Sequence, residues 1–186
     1  AGHDGGERED LAAGAAGVQI GTLFAMASES GLTEDLRGRL VAQLADETLV
    51  VRNDPRASPT GFPFKVAELS DTLSEDANYA ARERICDLGY LRSPVERADG
   101  KIAYRCASEP VHMYARKGGA DEDTSGRKCL CNALMANIGL GQVRRGGYVE
   151  EPAVTLGQDL SGAQALLALH PDGWTARQAV DWLLST

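Results

Sequence analysis

Gly17-Val18-Gln19-Ile20-Gly21-Thr22 is the stretch that decides how this chain reads. Residues 17–20 predict a short buried strand that delivers the amides of Gly21 and Thr22 to the start of a helix. The first N–H groups of a helix have no partner within it, so such a turn suits a phosphate. Upstream, Leu11-Ala12-Ala13-Gly14-Ala15-Ala16 reads as the end of a helix closed by Gly14, and Gly2 sits in a glycine-rich turn before it. The order is loop, helix, strand, phosphate-ready loop. That is the layout of the last βα units of a (β/α)₈ barrel, where phosphate docks on the loops after strands seven and eight.

Beyond this segment the pattern is α-rich. Thr33 predicts an N-cap, with Leu36, Leu40, Val41 and Leu44 forming one apolar stripe behind it. Thr48 to Arg52 predicts a strand, and Asp54 to Pro63 an irregular loop, because Pro55, Pro59 and Pro63 exclude both helix and central strand. Asn78 to Cys86 predicts a helix, Ile102 to Arg105 a short strand after the Asp99-Gly100 turn, and Lys117 to Gly126 an exposed loop. A helix is expected from Lys128 to Gly139, with Leu130, Leu134 and Ile138 as its stripe. Two more follow, one opened by Asp159 and ended near Pro171, the other opened by Thr175 with Gln178 completing a capping box. The fold class is therefore α/β, with residues 1–30 as the last barrel units and 31–186 as an α-rich extension with short strands.

Charge and composition narrow the partners. The 186 residues carry a net charge of −8, which disfavours a surface that binds a phosphate backbone, so nucleic acid is not expected. No run approaches the roughly 18 apolar residues of a membrane span, and no charged-then-apolar leader is visible, so a cytoplasmic location is expected.

At Gly14-Ala15-Ala16-Gly17-Val18-Gln19-Ile20-Gly21-Thr22 the chain resembles the nitronate monooxygenase family, also called 2-nitropropane dioxygenases. Asp54 to Lys65 and Arg127 to Met135 also look like one branch of it. The resemblance implies an FMN-dependent (β/α)₈ enzyme that oxidises alkyl nitronates with dioxygen, releasing a carbonyl compound and nitrite. It implies that Gly21 and Thr22 bind the flavin phosphate, that Gln19 lies beside the cofactor, and that the backbone at Gly2 also meets the phosphate. It further implies that this chain starts at the seventh barrel strand and requires an N-terminal barrel half, which holds the catalytic His. A related flavin barrel that reduces enoyl thioesters shares the same phosphate loops, which do not specify a substrate.

His3 lies next to the phosphate loops, as a catalytic or a solvated side chain, while His112 and His170 show no catalytic partner. Phe62 and Phe64, on the proline-stiffened loop, either face a flat apolar ring or plug a core. Glu7, Glu9 and Asp10 read as a solvated helix face. Cys86, Cys106, Cys129 and Cys131 lack paired Cys-x-x-Cys spacing. On one helix Cys129 and Cys131 would point about 200 degrees apart, so no metal is expected and the thiols read as reduced structural residues. A Cys-rich metal or interaction module remains the alternative from outside enzymology.

Overall fold

A computed structural model describes residues 13–17 and 19–185. The protein is mixed α/β. The described residues form seven α-helices and two antiparallel two-stranded sheets, with no barrel among them. Two compact units emerge, one made of residues 1–50 and 156–186, the other of residues 51–155.

In the first unit, helix α1 (Thr22–Ala25) is a single turn, and α2 (Glu34–Ala45) is the first long element. Thr33 caps α2 as expected, its side chain accepting from the Leu36 amide at 3.4 Å, and Leu36, Leu40 and Leu44 are buried. Gly38 does not interrupt the helix, because apolar burial on the neighbouring turns outweighs the roughly 1 kcal/mol a helical glycine costs. Helices α6 (Ser161–Leu169) and α7 (Ala176–Ser185) complete the unit, with α2 packed on α6 and α1 on both. The capping box at α7 forms in full: Thr175 Oγ1 accepts from the Gln178 amide at 3.1 Å, and Gln178 Oε1 accepts from the Thr175 amide at 2.7 Å.

The expected strand over 17–20 is not present among the described residues, which run as irregular chain up to Gly21. A barrel strand takes its hydrogen bonds from neighbours on both sides, and among the described residues no strand lies alongside this segment to supply them. Val18, like residues 1–12 with Gly2, His3 and the acidic run, lies outside the described residues.

The second unit is built from hairpins and short helices. Strands β1 (Val51–Asp54) and β2 (Phe64–Ala67) pair with Val51 opposite Ala67 and Asp54 opposite Phe64. The strand expected at 48–52 thus starts later, where β2 offers a partner. Between the strands the proline-rich loop is held by Asp54, whose Oδ1 accepts from the amides of Arg56 and Ala57 at 2.9 and 3.1 Å. Phe62 is 74% exposed and plugs no core. Ala67 donates to the Val154 carbonyl and Leu73 to that of Pro152, so 152–154 runs beside this hairpin and buries Leu73, Ala133 and Ala153 together.

Helix α3 (Asp76–Ala81) stops short of Cys86, because Arg82 leaves helical geometry (φ −65°, ψ 123°) and turns inward. Strands β3 (Ser93–Glu96) and β4 (Ile102–Arg105) form a hairpin around the Asp99-Gly100 turn, with β4 as the strand expected after it and Gly100 at φ 74°. Helix α4 (Val111–Arg116) and a 3₁₀ turn over Asp121–Thr124 lead to α5 (Leu130–Asn137). The last differs from expectation twice. It begins at Leu130, with Cys129 outside it at φ −77°, ψ 79°. Its buried face carries Leu130, Asn132, Ala133 and Asn137, whereas Leu134 and Ile138 are partly exposed, because Asn132 and Asn137 turn inward to bond the Glu150 carboxylate and the Ala153 carbonyl.

Candidate functional site

Gly21 occupies the N-cap position of α1 at φ −106°, ψ −53°, a conformation open to any residue, and as a glycine it offers no side-chain cap. A Cβ built at Gly21 meets nothing within 4 Å. The position is therefore open space, and a small residue there leaves the backbone approachable. Among the described residues no acceptor faces the amides of Gly21 or Thr22; the first bonds of the turn run from Ala25 to the Gly21 carbonyl and from Met26 to that of Thr22. The two amides match the orphan donors expected at a helix start.

Thr22 is fixed from the other side. Its Oγ1 accepts from the Gly157 amide at 2.8 Å, which leaves the hydroxyl proton free to be donated outward. The carbonyl of the next residue, Leu23, accepts from Trp174 Nε1 at 2.7 Å, and the Trp174 carbonyl accepts from the Ser28 amide at 2.9 Å. Trp174 is 2% exposed. Glu29 joins the same support: its carboxylate accepts from the Ala176 amide at 3.0 Å, and that bond, followed by one from Ser28, holds its pKa below the ordinary carboxylate value. The Gly21-Thr22 turn is thus a backbone platform braced by one indole and one glycine amide.

Of the residues expected at the site, Gly21 and Thr22 are adjacent at the platform, and Gln19 is exposed two residues before it. Gly2 lies outside the described residues, as does His3. His112 is exposed, and His170 Nδ1 meets Gln178 Nε2 at 3.2 Å, which ties it to the α7 cap. Sequence reasoning missed Gly157 and Trp174. Trp174 directly precedes an N-cap Thr, and Ala179 sits at the fourth helical position, both buried. This is the spacing of a hydrophobic staple and the one signal that could have found it.

The four cysteines are all free and all in the second unit; Cys106 and Cys129 are buried, Cys86 and Cys131 half-buried. Burial raises the Cys129 thiol to about 11 and pushes Cys106 up as well, so neither is an activated nucleophile. No helix of the described residues is long and apolar enough to cross a membrane. No family model, no curated protein and no solved structure matches this chain.

Proposed function

We propose that this chain supplies the phosphate end of an FMN site in a flavin-dependent (β/α)₈ enzyme of the nitronate monooxygenase type, acting on an alkyl nitronate with dioxygen. The observation that carries this reading is the Gly21-Thr22 turn: two acceptor-free amides at the start of α1, open space over Gly21, and a hydroxyl whose proton is free. These groups fit a phosphate monoester, which needs several converging donors and no bulky neighbour. When bound, the flavin supplies the redox chemistry. The chain's own residues bind and orient: the Gly21 and Thr22 amides and the Thr22 hydroxyl would hold the phosphate, and Gln19 would lie beside the cofactor.

The test is flavin retention. The enzyme containing this chain, with the segment encoded upstream of it, is purified with FMN present and its visible spectrum recorded after gel filtration. The expected result is stoichiometric flavin in the wild type and loss in Gly21→Glu. Full flavin retention by Gly21→Glu overturns the assignment, as does a wild type that holds no flavin.

A further inference from the structure

Helix α4 ends at Arg116 beside the β3–β4 hairpin, and a cavity of about 500 Å³ opens between them within the 51–155 unit. Four basic side chains line it, Arg97, Arg105, Arg116 and Lys117, against two acidic ones, Glu96 and Asp99. The chain as a whole carries a net charge of −8, so this surplus of positive charge runs against its composition. Two of the cations are already paired, Arg97 with Asp99 at 3.7 Å and Lys117 with the buried Glu109 at 2.6 Å. Among the described residues the other two make no ion pair. Arg105 Nη1 donates to the Lys117 carbonyl at 3.3 Å, and Arg116 Nη2 meets the Met113 thioether at 3.2 Å. A guanidinium has five N–H donors and a thioether is a weak acceptor, so most of both forks is left for a ligand.

The Arg105 fork is held in place by the fold. Its Cζ lies 4.9 Å from the centre of the Tyr114 ring, and the buried Tyr114 is pinned in turn by its hydroxyl, which donates to Asp123 Oδ2 at 3.2 Å. The loop after α4 is shaped around this stack. A Cβ on Gly119 would stand 2.0 Å from Tyr114 Cε1, so glycine is required there. A Cβ on Gly118, at φ +82°, would sit 3.8 Å from Arg105 Nη1, where glycine leaves the fork approachable. The helix end is also covered. Free carbonyls at the end of α4 would repel an anion, but those of Tyr114 and Ala115 already accept from the amides of Lys117, Gly119 and Gly118 at 2.8 to 3.1 Å.

We propose that this cavity binds the phosphate group of a small phosphate monoester, clamped by Arg105 and Arg116 with Lys117 as a further positive charge beside them. The class follows from charge and shape. A phosphate monoester carries close to two negative charges at neutral pH, which matches a lining of four basic and two acidic side chains. One guanidinium fork satisfies the two oxygens of a carboxylate, whereas the three terminal oxygens of a phosphate accept from two forks at once. The volume falls in the range of small-molecule sites and exceeds what a bare phosphate fills, and Val95 and Ala115 make part of the lining apolar for the organic remainder. The cavity shares no residue with the Gly21-Thr22 turn, which belongs to the other unit, so it stands independently of the flavin reading.

The test is calorimetric titration of the full 186-residue chain with phenyl phosphate, and with succinate as a dicarboxylate of equal charge. Each titration is run in the Gly21→Glu background, so that the turn in the other unit contributes nothing. The expected result is one phenyl phosphate bound per chain, with succinate at least roughly tenfold weaker. Arg105→Gln and Arg116→Gln should each weaken phenyl phosphate binding by roughly tenfold or more. Arg105→Gln gives up the stack on Tyr114, so its fold is checked by circular dichroism. Arg116 is exposed and touches only a thioether, which makes Arg116→Gln the variant that reads binding alone. A Gly21→Glu chain that binds no phenyl phosphate at millimolar concentration overturns the proposal. So does binding that Arg116→Gln leaves unchanged, or succinate that binds as tightly as phenyl phosphate. The probe is not a flavin and the turn is disabled, so any of these failures leaves the FMN reading standing.

Discussion

Thr22 Oγ1 accepts a 2.8 Å hydrogen bond from the amide of Gly157, 135 residues further along the chain. The donor is backbone, so it cannot be mutated away, and a Cβ on Gly157 would stand 2.9 Å from that oxygen. Thr22→Ala leaves the amide without its acceptor and should lower unfolding free energy by about 1 kcal/mol, the low end for a part-buried group. Thr22→Ser keeps the hydroxyl and should lose less than half of that. Urea unfolding of the three proteins checks it.

Gly21→Glu separates fold from ligand. The site is open and its backbone angles suit any residue, so the change should leave stability within about 0.5 kcal/mol. A carboxylate over the two acceptor-free amides should nevertheless weaken FMN binding by about 1.5 to 3 kcal/mol, roughly tenfold or more. Stability comes from denaturation, and affinity from flavin fluorescence quenching in the enzyme that contains this chain. An equal loss of both would mean the turn is only structural.

Trp174 braces the same turn from beneath, fully enclosed and bonded to the Leu23 carbonyl at 2.7 Å. Trp174→Phe should cost about 1 to 2 kcal/mol, mostly for the orphaned carbonyl, and Trp174→Ala about 3 to 5 kcal/mol for the cavity. Circular dichroism melts rank them. Both variants should also loosen flavin retention, because the amides of Gly21 and Thr22 are aimed by this support.

Local signals in this sequence proved legible where a side chain meets its own backbone neighbours. The caps at Thr33 and Thr175 and the Asp99-Gly100 turn with the strand after it each need only residues within a few positions, and each forms. What failed was legible only through distant partners. The 17–20 segment reads as a strand by composition, but a strand exists through its ladder. Arg82 ends α3 early because its guanidinium is drawn to Glu150, 68 residues away. The polar face of α5 likewise depends on Asn132 and Asn137 finding the Glu150 carboxylate and the Ala153 carbonyl, which no periodicity rule anticipates. At the candidate site Trp174 left one local signal, its staple spacing to Ala179, and Gly157 left none, because its role depends on Thr22 135 residues away.

Glu151 gives a pH dependence. Burial first, and then the charges of Glu150, Asp71 and Glu75, raise its carboxyl above the ordinary value, with Arg82 opposing, and its Oε2 has no partner. A group whose folded-state pKa is raised favours the protonated form in the native protein. Its contribution is complete below the unfolded carboxylate pKa and lost as pH rises through the folded one. Glu151→Gln should therefore melt at a higher temperature than the wild type at neutral pH, and the difference should shrink on acidification through the carboxylate range. A pH series of thermal melts of the two proteins tests the sign; a Gln variant that is less stable at neutral pH would show the opposite.

Glu150 is the anion at the centre of a buried network: Arg82 binds it through Nε and Nη2, Arg144 Nη2 reaches it at 2.9 Å, and Asn132 Nδ2 at 3.4 Å. The Glu150 side chain is 0% exposed and that of Arg82 4%. Removing the carboxylate charge leaves the buried Arg82 guanidinium without an anion, whereas Arg144 keeps Asp87 at 2.6 Å, and an uncompensated buried charge costs about 3 to 5 kcal/mol. Glu150→Gln should lose that much in urea unfolding. Arg82→Met should lose less, because Arg144 still neutralises the carboxylate and the methionine fills part of the space. The double variant Arg82→Met with Glu150→Gln should be more stable than the sum of the single losses predicts, since it removes the stranded cation, and a double-mutant cycle reads that coupling directly. Additive losses would mean that the two side chains stabilise the unit independently.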